Sequence, residues 1–131
     1  MTNGLTPEQL AGLKQQLLRQ LDEGVEEVRQ ELLRSDNEQY IELAGRVHDV
    51  GEESVADLLT DVNLAVIDLH INRIRDIDAA LLRIAGDTYG ICSDCDGDIG
   101  QERLRVYPTA KRCHDCQERY EQRSMKVPPS L

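Results

Sequence analysis

At 131 residues, with neither Trp nor Phe and a formal net charge of −10 at pH 7, the chain has little with which to build a large globular core. Leu, Ile, Val and Ala must therefore supply the packing, which favours helix on helix. The negative charge disfavours a protein that holds DNA by itself, and it favours a basic protein surface as the partner.

The first predicted helix begins at a capping signal. Thr6 precedes Pro7, which suits the first helical position, and Gln9 stands where it completes a capping box. Apolar residues then recur at intervals of three and four as far as Leu32. This period predicts a long amphipathic helix that ends near Arg34.

The middle of the chain predicts a short helix, a turn and a second long helix. Residues 37–47 favour the short helix, and the acidic stretch 48–54 favours a turn that pivots on Gly51. Apolar spacing then predicts a helix over roughly 52–86, closed by Gly86. We expect residues 1–87 to form a long antiparallel coiled-coil hairpin with its tip at 48–54, although the same stripes also suit a dimerisation seam or a bundle.

The four cysteines lie in two C-x-x-C pairs separated by seventeen residues, Cys92 with Cys95 and Cys113 with Cys116. Two such turns supply four thiolates to a tetrahedral Zn²⁺ and leave no open position for substrate, so the predicted metal is structural. The alternatives are two disulfides, a redox pair, or His114 in place of one cysteine. Gly97 would supply left-handed backbone in the first turn and Gly100 would turn the loop.

The compartment follows from the same features. A cysteine set used for metal is typical of a reducing cytosol, and we find neither a signal peptide nor a run of the roughly 20 apolar residues that a membrane span needs. We therefore expect a cytoplasmic protein.

The chain should finish with a helix and a tail. Pro108 with Thr109 and Ala110 predicts the start of a helix that carries the second cysteine pair to about Ser124. We assign 88–124 to a zinc finger with this C-terminal helix, and 125–131 to a flexible tail. Basic residues gather here and would form a local patch for nucleic acid: Arg103, Arg105, Lys111, Arg112, Arg119, Arg123 and Lys126.

The stretch YGICSDCDGDIGQERLRVYPTAKRCHDCQERYE, residues 89–121, resembles the DksA/TraR family of bacterial transcription regulators. The likeness lies in the Y-G-x-C-x-x-C opening, the Ile99-Gly100 pair, Arg103-Leu104, the Pro-Thr-Ala before the second pair, and the Cys-x-Asp-Cys-Gln-Glu-Arg ending. The preceding hairpin is similar to the family in architecture and position.

The resemblance implies a regulator, not an enzyme. Such a protein binds RNA polymerase directly at the secondary channel, makes no sequence-specific DNA contacts, acts as a monomer, and takes part in the stringent response. The family's tip motif, Asp-x-x-Asp-x-Ala, falls on residues 49–54. Asp49 matches it, Glu52 replaces Asp, Ser54 replaces Ala, and Glu53 adds a carboxylate, so these four are the expected partner-binding residues.

The resemblance also bears on the alarmone ppGpp. Positions at which responsive members carry basic residues fall on Leu69, Asp76, Tyr107 and Gln117, none of which is basic. We therefore expect weak or absent synergy with ppGpp. Two other functions stay open: a Gre-like secondary-channel cleavage factor whose tip carboxylates hold Mg²⁺, and a zinc-ribbon nucleic-acid-binding protein.

Overall fold

A computed structural model describes residues 4–47, 55–59, 62 and 64–126, with side chains as far as residue 123. Its helices are α1 (Pro7–Leu33), α2 (Glu38–Ala44), α3 (Val55–Leu58), α4 (Ala65–Ala85), α5 (Gln101–Val106) and α6 (His114–Lys126). Within these ranges no β-strand occurs, only one antiparallel bridge between Ile91 and Asp98. The predicted mainly helical fold is confirmed.

Helix α1 begins as its sequence predicts. The Thr6 Oγ1 accepts a hydrogen bond from the Gln9 N–H (3.1 Å), and the Thr6 N–H donates to Gln9 Oε1 (2.9 Å). This reciprocal pair satisfies donors that the first turn leaves open. The helix ends at Leu33, one residue before the predicted limit.

The second long helix is shorter than predicted. One helix over 52–86 was expected, but within the described residues α3 and α4 are separate and Leu64 between them has extended backbone (φ −124°, ψ 123°). The run Thr-Asp-Val-Asn at 60–63 consists of weak helix formers. Leu59 and Val62 are both buried, and the Val62 N–H donates to the Leu59 carbonyl (3.0 Å). The prediction of one continuous helix over 52–86 was therefore wrong in its N-terminal part.

Helices α1 and α4 pack antiparallel along two clusters of buried residues. Residues late in α1 meet residues early in α4 in one cluster, and the reverse pairing holds in the other. The first, which we call the distal core, also takes in the segments around α2 and α3: Val25, Val28, Leu32, Ala44, Val47, Ala56, Leu59, Val62, Ile67, Ile71 and Ile74. The predicted helical hairpin is thereby confirmed.

The second cluster joins the hairpin to the cysteine segment. We call it the finger core, and its buried members are Leu13, Leu17, Ile77, Ala80, Tyr89, Cys92, Ile99, Leu104, Ala110 and Cys116. Apolar contact therefore continues across residue 87, the predicted end of the hairpin. The cysteine segment packs against the hairpin through this cluster. No helix in the described part of the chain combines the length and the apolar character needed to cross a membrane.

Candidate metal centre

The structure brings the four predicted thiols together. All four Sγ atoms lie within 4.8 Å of one another, and those of Cys95 and Cys113 are 3.9 Å apart. Zn–S bonds of about 2.3 Å in a tetrahedron place sulfurs ~3.8 Å apart, so the arrangement fits Zn²⁺. A disulfide needs sulfurs ~2.05 Å apart, and all four cysteines are free. The thiol geometry therefore favours metal over the disulfide alternative.

The first cysteine pair is shaped by its backbone. The Asp96 N–H donates to the Cys92 carbonyl (3.0 Å), and the Cys92 N–H donates to the Gly97 carbonyl (2.7 Å). Asp96 takes the left-handed conformation (φ 62°), so the assignment of that role to Gly97 was wrong. Gly97 serves close approach instead, since a Cβ there would lie 3.3 Å from the Cys95 sulfur.

The second cysteine pair sits at a helix start, later than predicted. Pro108 and Thr109 form a turn, and α6 begins only at His114, so the predicted helix start at Pro108 was wrong. Cys113 precedes α6 and its carbonyl accepts from the Gln117 N–H (2.9 Å). The Ser93 N–H donates to the Lys111 carbonyl (2.8 Å), which ties the two pairs together.

Helix α5 was missed by the sequence reasoning. It follows Gly100, whose backbone is left-handed (φ 103°), and it buries Leu104 in the finger core. The signal was present but short. Two apolar residues, Leu104 and Val106, in a run of six are too few to show a helical period.

The electrostatics of the thiols also favour a cation. Burial raises the pKa of Cys92, but the backbone N–H groups of Cys113, Cys95 and Asp94 bring that pKa down to about 6. A hydrogen bond with the Cys113 thiol, and then burial, raises the pKa of Cys116 to about 12. Ionisation of one thiol thus raises the free-energy cost of ionising the next. The four thiols therefore ionise together only when a cation such as Zn²⁺ compensates their charge.

Arg112 braces the centre without contributing a ligand. Its Nε donates to Asp94 Oδ2 (2.9 Å), and its guanidinium lies over the Tyr120 ring, 4.0 Å from the ring centroid. Asp94 stands between Cys92 and Cys95, and Tyr120 lies one turn beyond Cys116. The Arg112 side chain is only 15% exposed. Through these two contacts it connects both cysteine pairs to α6.

We predict that Arg112→Gln speeds zinc release. Outer-shell partners of metal ligands are typically worth about 10–100-fold in metal affinity, so we expect release to a chromogenic chelator to accelerate by about tenfold at unchanged helix content. Lys111→Gln is the matched control, because this neighbouring side chain is exposed. Equal release rates for the two variants would contradict the bracing role.

Other predicted positions fall in several places. The tip residues Asp49, Glu52, Glu53 and Ser54, with the Gly51 pivot, lie outside the described residues. His114 is exposed and forms a surface group with Asp115 and Glu118, apart from the thiols.

The structure describes all four positions that were compared for a response to ppGpp. Asp76 and Tyr107, far apart in sequence, line a single cleft between the hairpin and the finger. Leu69 is 74% exposed on α4, and Gln117 bonds to Glu121 on α6.

Comparisons with known proteins agree with this geometry. Residues 87–122 match the prokaryotic dksA/traR C4-type zinc finger. The RNA polymerase-binding transcription factor DksA of Haemophilus influenzae is 30% identical over 134 aligned positions, covering 90% of this chain and 92% of that protein. The solved structure of transcription factor DksA2 from Pseudomonas aeruginosa superposes with a TM-score of 0.59 at 28% identity, covering 91% of this chain and 88% of that one.

One further relative is matched over only part of its length. An uncharacterized protein of Aquifex aeolicus is 37% identical over 82 residues, which are 63% of this chain and 54% of that protein. The match therefore spans about half of the Aquifex protein.

Fold and site together define a class of protein: a helical hairpin that carries a C4 zinc finger, with four clustered cysteines consistent with one structural Zn²⁺. The chain belongs to the DksA/TraR family. Family and fold support a DksA-type transcription regulator.

Proposed function

We propose that the protein is a non-enzymatic regulator that binds bacterial RNA polymerase at the secondary channel and modulates initiation through its acidic tip. The observation that carries this proposal is the likeness, over nine-tenths of the chain, to a relative named for binding RNA polymerase. Under this proposal Asp49, Glu52, Glu53 and Ser54 contact the polymerase. We propose further that the protein acts as a monomer in the cytoplasm.

The packing of the two cores supports an elongated hairpin that is anchored to the zinc finger at one end. The finger core fixes the zinc finger against residues early in α1 and late in α4. The elements that flank residues 48–54, α2 and α3, pack in the distal core at the other end of the hairpin. Two cores in series suit a protein that docks by its finger and reaches with its tip, because both ends are held in a fixed relation.

The basic residues near the finger give less support to the nucleic-acid alternative. Arg112 is committed to Asp94 and Tyr120, and the Arg103 Nε donates to the Arg112 carbonyl (3.1 Å). Two of the cations that would form a phosphate-binding patch are therefore engaged inside the finger. We propose no sequence-specific DNA binding. We also propose weak or absent ppGpp synergy, since Asp76 adds negative charge where a phosphate would need a cation.

The test uses Asp49→Asn in transcription with purified bacterial RNA polymerase. We expect the variant to bind core enzyme like wild type but to lose most of the shortening of rRNA-promoter open-complex lifetime, because the amide keeps the size of the carboxylate and removes its charge. Asp57→Asn is the control, since Asp57 is an exposed carboxylate on α3. Absence of polymerase binding by wild type, or full activity of Asp49→Asn, would sink the proposal.

A further inference from the structure

A pocket lies beside the four thiols, where the first cysteine pair meets α6. Its volume is about 420 Å³, within the range of small-molecule sites. We call it the guanidinium pocket, and its lining residues are Asp94, Cys95, Cys116, Arg119, Gln122 and Arg123. The pocket therefore joins two of the metal-site cysteines to two arginines of one helix.

The guanidinium pocket is positively charged, although the chain as a whole is strongly acidic. Arg119 and Arg123 stand four residues apart on α6, so they share a face of that helix. Among the described side chains, no carboxylate lies within 4.0 Å of either guanidinium. The Asp94 carboxylate in the pocket wall is already paired with Arg112, at 2.9 Å. The two arginines therefore bring positive charge that is not offset at close range.

The two arginines differ in how they are held. The Arg119 Nη2 donates to the Cys116 Sγ (3.6 Å), and its Nε donates to the Asp115 carbonyl (3.4 Å). These bonds orient the guanidinium and leave some of its N–H donors for a ligand. Arg123 makes no hydrogen bond to any described thiol or carboxylate. It therefore adds charge to the pocket without bracing the cysteines.

The chemistry of the pocket narrows the occupant. Guanidinium groups bind carboxylates in a bidentate manner. Cys95 and Cys116 form another part of the wall, Cys95 is exposed, and zinc held by these thiolates also accepts carboxylate oxygens as ligands. A long polyanion such as nucleic acid is disfavoured, because the pocket is small and the chain carries a net charge of −10. What fits is a small polycarboxylate that reaches both the arginines and the sulfurs.

We infer that the guanidinium pocket binds small polycarboxylates and thereby guides chelators of this class to the metal centre. The arginines matter because four thiolates outweigh the charge of one Zn²⁺, and this excess repels an anionic chelator unless positive charge lies beside it. Exchange of the metal replaces one ligand by another and needs no oxidant or reductant, since zinc has no redox chemistry here. The inference concerns the finger alone and does not rest on the proposed function.

The test measures zinc release from the full zinc-loaded chain to two chelators. Nitrilotriacetate is a polycarboxylate, whereas the pyridyl chelator TPEN carries no carboxylate. The variant is Arg123→Glu, because Arg123 charges the pocket without touching a described thiol. We expect release to nitrilotriacetate to slow by about tenfold and release to TPEN to change by less than about twofold, since local charge governs the approach of charged ligands. The difference should shrink at high salt.

Two further variants make the result specific. Lys111→Glu changes the charge equally at an exposed side chain of the finger that does not line the pocket, and it should leave both release rates within about twofold of wild type. Arg123→Lys keeps the charge and loses the planar fork, so it should release zinc to nitrilotriacetate faster than Arg123→Glu does. Zinc content and helix content verify that each variant is folded.

A second measurement uses the wild-type chain only. Succinate carries two carboxylates but chelates zinc weakly, so it should occupy the pocket without removing the metal. We expect succinate to slow release to nitrilotriacetate by several-fold and to leave release to TPEN unchanged. Acetate at the same ionic strength is the control, because a single carboxylate cannot pair with both arginines.

Several outcomes would overturn the inference. Equal slowing with both chelators would mean that Arg123→Glu alters the finger itself and not the approach of an anion. Equal slowing by Lys111→Glu would make the effect one of net charge. Absence of competition by succinate, or stronger competition by inorganic phosphate, would show that the pocket does not select polycarboxylates. None of these outcomes bears on polymerase binding, which is tested separately.

Discussion

Replacing Cys92 with serine is expected to abolish zinc retention and to loosen the hairpin near the finger. Cys92 is fully buried, and its sulfur belongs both to the four-thiol site and to the finger core with Leu13, Leu17 and Ile77. The binding free energy of a structural zinc, on the order of 10 kcal/mol, is folding free energy, and it is similar to the whole stability of a typical domain. Losing the metal therefore removes the order of the finger core.

We expect zinc content to fall from about one per chain to near zero, with a partial loss of helix signal in circular dichroism. The distal core shares no residue with the metal site, so part of the helix signal should survive. His114→Ala is the control, because His114 lies next to Cys113 but is exposed and apart from the thiol cluster. A Cys92→Ser protein that keeps its zinc, or a His114→Ala protein that loses it, would show the ligand set to be wrong.

Leu17→Ala is expected to destabilise the hairpin and the finger together. Leu17 is fully buried in α1 and packs in the finger core with residues of the cysteine segment. Truncating a buried leucine costs about 2–5 kcal/mol, which lowers the unfolding temperature by on the order of 10 °C in a chain of this size. Because the same cluster contains Cys92 and Cys116, we also expect faster zinc release to a chelator well below the unfolding temperature.

Two comparisons make this result specific. Leu18→Ala makes the same chemical change one position along α1, where the side chain is 37% exposed, and it should cost much less. Ile74→Ala removes a fully buried side chain from the distal core. It should lower the unfolding temperature but leave zinc release near the wild-type rate. If Leu17→Ala and Ile74→Ala accelerate zinc release equally, the two cores do not behave as separate units.

The features that could be predicted from the sequence depend on the spacing of residues that lie close together in the chain. The cap at Thr6, the apolar stripe of α1 and the closure of α4 at Gly86 each depend on residues within one or two turns. The cysteine pairs are equally local, because each C-x-x-C turn presents two sulfurs whatever lies around it. The family resemblance extended this to a hairpin followed by a zinc finger.

What only the tertiary structure decided depends on residues far apart in the chain. The helical period predicts a continuous helix through Leu64, but the backbone of Leu64 is extended, and Leu59 and Val62 are both buried in the distal core. The late start of α6 and the short α5 follow from bringing Cys113 back to Cys95 and burying Leu104, which no local pattern states. The Arg112 brace and the cleft shared by Asp76 and Tyr107 likewise join positions brought together by folding alone. The sequence by itself thus predicted the four clustered cysteines and the class of fold, because both depend on the spacing of residues along the chain. Where the helices break, and which charges face one another, was decided by packing.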